Sequence, residues 1–173
     1  MEGKDEKIKF ANKVYGKVGK EDIRDVKEIE EIIRKSISCR FGFIDGDEPF
    51  VTPAPFGYEN NTFYFHGALD DRKIEIVRKN SKVCFEMTID VDLLRGANGF
   101  ACSWMMGYRR ILGTGRAFIL GSDKDKIHGL DLIVAHYAEG KFIYPQEKID
   151  TCEVVKVEIK TIHAFKSVFE KPV

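Results

Sequence analysis

The sequence lacks an excess of charge: lysine plus arginine and aspartate plus glutamate each number 28, for a formal net charge of zero. A general nucleic-acid binder needs surplus cations to displace counterions from phosphates, so nucleic acid is not an expected partner. A local anion pocket is still allowed. Long apolar runs are missing too. No stretch could span a bilayer, and the lysine-rich opening from Met1 to Lys20 has no apolar signal core. A soluble, cytoplasmic protein with no membrane partner is expected. Cysteine is scarce, and Cys39, Cys84, Cys102 and Cys152 form no C-x-x-C pair. Cys39, Cys84 and Cys152 lie in or beside apolar strand-like runs, so they read as buried thiols rather than as disulfides or zinc ligands. His66, His128, His136 and His163 also lack metal-motif spacing. His128 and His136, eight apart on one helix, fall about 80° from one another around its axis. No metal site is expected.

What is present fits one domain of 173 residues, read as a polar arm over 1–24 followed by a single domain over 25–173. Asp25 and Glu28 have capping-box spacing ahead of a helix over 26–35, with Ile29, Ile32 and Ile33 as its buried stripe. Strand periodicity begins at Cys39, with Phe41 and Phe43 on its face and a turn at Gly46. A strand over 50–58 contains Pro53 and Pro55, which remove two donors on one side, so it cannot be a central strand paired on both edges. Asn60 and Asn61 turn that strand into Phe63–His66, where Phe63 and Phe65 face one way and Tyr64 and His66 the other. Val83, Phe85, Met87 and Ile89 alternate with polar residues as a half-buried strand. The segment 91–106 is irregular and holds the single tryptophan, Trp104. A long strand follows over 108–120, in which Gly113 and Gly115 permit close approach of another element. A helix over 123–139 turns Ile127, Leu130, Ile133, Val134 and Tyr137 inward, and 152–165 alternates again as a strand with His163 in phase with Val155, Val157 and Ile159. The sum is a mainly β protein: an antiparallel sheet, closed or split as a barrel, with helices over its ends.

The densest chemistry lies at His66-Gly67-Ala68-Leu69-Asp70-Asp71-Arg72-Lys73, where an aromatic strand gives way to a short helix capped by Asp70 or Asp71 and stopped at Asn80. Arg72 and Lys73 occupy the first turn, the unfavourable end of the helix dipole for a cation. An anion bound there would reverse the sign. Backbone N–H groups, a glycine and two cations then make a phosphate seat. The alternative is that both cations pair with Asp70 and Asp71 on a solvated surface.

The order of these elements resembles the FMN-binding split barrels related to pyridoxamine 5′-phosphate oxidase, and within them the 5-nitroimidazole-resistance (Nim) family. The resemblance covers about residues 25–165 and is carried by Tyr64-Phe65-His66-Gly67-Ala68, Val83-Cys84-Phe85-Glu86 and Ala101-Cys102-Ser103-Trp104. It implies a homodimer holding FMN at the subunit interface. By matching positions, Val51, Thr52 and Pro53 would line the isoalloxazine, and His66, Gly67 and Ala68 would border the ring and ribityl chain. Arg72 and Lys73 would bind the phosphate. Ser103, Trp104, Tyr108 and Arg109 match a region that reaches the cofactor from the partner subunit, although Trp104 also reads as an interface anchor. His66 is the candidate catalytic residue, against a purely hydrogen-bonding role. The implied activity is an FMN-dependent oxidoreductase that passes electrons from NADH or NADPH to a small acceptor such as a nitroaromatic. The competing readings are a haem-binding or haem-degrading split barrel, with His66 or His163 as axial ligand, a pyridoxamine-phosphate-oxidase-like flavoprotein of other specificity, and a non-enzymatic flavin-binding or storage protein. The arginine-rich C-terminal substrate motif of the true oxidases is absent.

Overall fold

The computed structural model describes residues 20–94 and 105–167. Cys102, Ser103 and Trp104 therefore lie outside the described residues, as do residues 1–19 of the expected arm. The strands are β1 (Lys20–Ile23), β2 (Cys39–Asp45), β3 (Glu48–Ala54), β4 (Gly57–Glu59), β5 (Thr62–Ala68), β6 (Lys82–Leu94), β7 (Met105–Ile119) and β8 (Cys152–Ser167). The helices are α1 (Val26–Lys35), α2 (Arg72–Lys79), α3 (Asp123–Tyr137) and α4 (Gln146–Asp150). Every pairing is antiparallel, in the order β3-β2-β6-β7-β8-β5-β4, with β1 added alongside β8. The sheet is not closed by hydrogen bonds. Its two end strands, β3 and β4, are consecutive in the chain, so the sheet curls into a split barrel.

The inward faces meet in an aromatic core. Phe41, Phe63, Phe65 and Phe85 are all buried, with Phe41 and Phe65 ring centroids 4.7 Å apart and Phe63 and Phe85 5.0 Å apart in an edge-on contact. Such pairs add about 0.5–1.5 kcal/mol to the burial of their area. Gly113 sits under the Phe85 ring. A methyl group there would stand 2.6 Å from Phe85 Cε2 and closer still to Cζ and the Thr161 carbonyl, so the close approach expected at this glycine is real. Helix α1 has the expected bounds and stripe, with Ile29, Ile32 and Ile33 buried and the Asp25 carboxylate accepting from the Lys27 amide at 3.0 Å. The reciprocal half of the capping box does not form. Glu28 turns to Arg109 and Lys166, each 3.8 Å away.

Several local expectations are corrected. The proline-bearing strand is two strands: β3 ends at Ala54, and β4 starts at Gly57. Pro53 does lie on an edge strand, because β3 pairs with β2 alone. Residues 91–94, read as irregular, continue β6 past a break at Asp90 (φ 53°), and Asp92, Leu93 and Leu94 pair with Gly107, Met106 and Met105. Residues 20–23 of the expected arm form β1 and pair with β8. Cys39 is buried, and burial pushes its thiol well above the ordinary value, but Cys84 is exposed and Cys152 only half-buried. Tyr137 is 45% exposed rather than inward. Its hydroxyl accepts from the Phe56 amide at 3.0 Å and donates to the Ile37 carbonyl at 2.9 Å. β8 carries a bulge at Lys160, since Thr161 pairs with Thr114 while Ile159 pairs with Gly115. The extra residue reverses the phase, so His163 opposes Leu112 and faces away from Ile162 and Ala164.

Candidate functional site

The corner between β5 and α2 is built by alternation and capping. In β5, Phe63, Phe65 and Gly67 point inward and His66 and Ala68 outward. Asp71 is the N-cap of α2 and accepts from the Lys73 amide at 3.1 Å. Its second oxygen pairs with Lys73 Nζ, whose side chain is 12% exposed. Gly67 leaves the space this requires, because a Cβ there would be 3.0 Å from both Lys73 Nζ and Asp71 Oδ2. The cation disfavoured by the helix dipole is thus offset by an acid of the chain itself. Arg72 takes a different acid: it reaches across to Asp45 at 3.0 Å and lies 4.6 Å over the Phe50 ring, with 56% of its side chain exposed. Partial burial, with the Lys73 cation adding to it, holds the His66 imidazole below its ordinary pKa despite the opposing Asp71 carboxylate.

The outer face of the sheet carries an open groove of about 450 Å³, floored by Ile44, Pro49, Val51 and Cys84. It borders the corner through the β2–β3 turn, where Asp45 follows Ile44 and Phe50 lies between Pro49 and Val51. Val51 is 65% exposed and Pro53 is also outward, whereas Thr52 is half-buried on the opposite face. The structure therefore brings Val51, His66, Gly67, Ala68, Arg72 and Lys73 to one end of the sheet. Tyr108 and Arg109 are elsewhere. Gly67 pairs with Glu153 and Arg109 with Lys166, so they stand about 13 residues apart along β8, roughly 40 Å of extended chain. Arg109 is held by Glu31 at 2.9 Å and Asp90 at 2.6 Å, and hydrogen bonds from Arg109, then Lys35, bring the Glu31 carboxyl down to about 2.

Sequence reasoning missed Arg110. It shares the outward face of Thr114 and Arg116, both groove residues, and its guanidinium lies 3.2 Å from Glu86, which also pairs with Arg40 at 2.7 Å. Two-residue alternation along β7 was the available signal. A larger cleft, about 550 Å³ between α1 and α3, contains none of the expected site residues. No helix is long and apolar enough to cross a membrane, and no cluster of three metal-ligating side chains occurs among the described residues.

An open, all-antiparallel sheet curled around an aromatic core, with a basic corner after β5 and an outer groove, defines a split-barrel protein of the oxidase-related type. The chain belongs to the pyridoxamine 5′-phosphate oxidase family, whose sequence profile matches residues 25–166. Among solved structures it is similar to a proposed 5-nitroimidazole antibiotic resistance protein from Bacteroides thetaiotaomicron. The two are 29% identical, with a TM-score of 0.75 over 85% of this chain and 87% of that one. The flavocytochrome Anf3 of Azotobacter vinelandii shares the fold at 20% identity, TM-score 0.74, covering 88% of this chain and 71% of that one. An FAD and heme binding protein from Mycobacterium smegmatis does so at 12% identity, TM-score 0.76, covering 90% and 76%. The sequence matches no curated protein.

Proposed function

We propose that this protein is a homodimeric, FMN-dependent oxidoreductase of the cytoplasm that takes electrons from NADH or NADPH and reduces a small acceptor of the nitroaromatic kind. One observation carries the reading: the first turn of α2 presents an exposed guanidinium, Arg72, next to a largely buried ammonium, Lys73, that packs against Gly67. The residues present fit a phosphate. The Arg72–Asp45 pair is largely exposed and worth little, so a phosphate dianion, a stronger partner for a guanidinium, can replace the carboxylate at small cost. Lys73 would add its field across Gly67. The apolar floor beside Val51 suits a flat ring system, with Pro53 and Arg110 on the same outward face and Thr52 contributing through its backbone. His66, Gly67 and Ala68 would border the ribityl chain.

Flavin, when bound, supplies the hydride and electron transfer, and the protein supplies position and electrostatics. Burial and the Lys73 cation disfavour the charged form of His66, so its imidazole can hydrogen-bond an acceptor or relay a proton to it. Tyr108 and Arg109, on β7 opposite the far end of β8, would reach a cofactor only on a second copy. That separation supports a dimeric site. The Bacteroides protein supports the acceptor class through its name.

The test is the absorption spectrum of the purified protein, followed by turnover with NADH or NADPH and a nitroaromatic. Two flavin bands and nicotinamide-dependent reduction are expected. A sharp Soret band would instead identify a haem protein. His163 is a poor axial ligand there, because its Nε2 lies 3.1 Å from Asp22. His66 would be the remaining candidate. A protein that takes up neither pigment overturns both readings.

A further inference from the structure

The outer groove holds a charge imbalance that the cofactor reading leaves unused. Lys82 and Arg116 stand directly opposite one another across β6 and β7, an arrangement that destabilises a sheet when the charges are alike. Lys160 lines the same groove. It is the extra residue of the β8 bulge and has no cross-strand partner. None of the three forms an ion pair among the described residues, although Arg116 donates to the Ser81 hydroxyl at 3.0 Å. The acid nearest by register, Glu158, opposes Arg116 from β8 but is engaged by Lys156 at 2.7 Å. Other cations on this side of the molecule each have an acid in reach: Arg40 and Arg110 share Glu86, Arg72 takes Asp45 and Lys73 takes Asp71. Three cations without acids beside an apolar floor therefore form a directed feature.

We propose that this groove is the acceptor-substrate site and that Lys82, Arg116 and Lys160 select a substrate with a flat apolar body and a terminal acid, a carboxylate or a phosphate monoester. The body lies over Gly42, Cys84 and Thr114, next to the floor beside Val51 that the flavin ring would take, and the acid sits between the three cations. Its binding gains twice, from attraction to each cation and from relief of the Lys82–Arg116 repulsion. The fork of Arg116 matches the two oxygens of either acid. This rests on the flavin reading for what happens to the substrate, but not for its binding.

The test is calorimetric titration of the purified full-length protein with 4-nitrobenzoate, 4-nitrophenyl phosphate and the neutral isostere 4-nitrobenzamide. At least one anion is expected to bind about tenfold or more tightly than the amide, with the advantage shrinking in about 0.5 M salt. The tighter anion identifies the acid. The Lys82→Gln/Arg116→Gln/Lys160→Gln protein should bind all three probes alike and keep its flavin affinity. Lys160→Glu, at an exposed bulge where folding is not at stake, should reduce the anion preference on its own. Equal binding of acid and amide by the unaltered protein, or a preference that survives these substitutions, overturns the proposal. A colourless protein that still discriminates the probes rejects the cofactor reading and keeps this one. A flavin-loaded protein indifferent to probe charge does the reverse.

Discussion

Arg72→Ala tests the phosphate seat most directly. A charge-assisted hydrogen bond between guanidinium and phosphate contributes about 1.5–3 kcal/mol. Against it stands the exposed pair with Asp45, whose loss on binding costs less than about 1 kcal/mol. The net contribution is about 0.5–3 kcal/mol, so FMN affinity should fall about 2- to 150-fold. The unpaired Asp45 carboxylate left near the phosphate pushes the loss toward the upper end. Fluorescence-quenching titration with FMN and riboflavin isolates the effect, because riboflavin lacks the phosphate and should bind the original and altered proteins equally. Arg72→Ala/Lys73→Ala should lose more than the single change. An unchanged FMN-to-riboflavin affinity ratio in the double variant would refute the assignment, whatever happened to absolute affinity.

Two further outcomes follow from the described geometry. Lys73→Gln removes a cation that holds the His66 pKa down and leaves Asp71 free to raise it, so the imidazole resonances should titrate at higher pH in NMR. In the original protein the native pKa lies below the unfolded one, so stability falls as pH drops through about 6.5. That fall should be shallower in the variant, and a titration midpoint that stays put or moves down contradicts the cause given. Gly113→Ala pushes a methyl group into the Phe85 ring and the Thr161 carbonyl. Overpacking should cost about 1–3 kcal/mol, read as a lower midpoint in urea unfolding, and an unaltered midpoint would mean that the core yields there.

Period-two alternation made most of this sheet legible. Phe63 and Phe65 against Tyr64 and His66, the edge position of Pro53, and the α1 stripe all follow from side-chain direction and missing donors. The bulge at Lys160 defeated the same logic. Alternation counted from Val155 puts His163 on the core face, but one unpaired residue reverses every position after it and no local residue type marks such an insertion; His163 is buried all the same, packed on the opposite face against Phe165 and Asp22. Cys84 was misjudged because its neighbours Val83 and Phe85 are buried while its own side chain faces the groove. Tyr137 was misjudged because its hydroxyl serves two backbone groups, one at Ile37 and one at Phe56, that the sequence does not bring together. At the candidate site, capping residues made the start of α2 legible, with Asp71 as its N-cap and Arg72 and Lys73 in its first turn. The alternative reading, in which the cations pair with neighbouring acids, holds for Lys73 and Asp71; the Arg72–Asp45 pair was not legible, because Asp45 lies in a different hairpin.

The two residues between β3 and β4, Pro55 and Phe56, act as a covalent latch. They tie together the opposite margins of a sheet that has no hydrogen bonds across its seam. A single proteolytic nick there would leave every ladder intact yet release both margins at once, with the Tyr137 hydroxyl as a remaining clasp on Phe56. Exposed strand margins recruit other strands. A nicked molecule should therefore keep its fold while becoming prone to self-association.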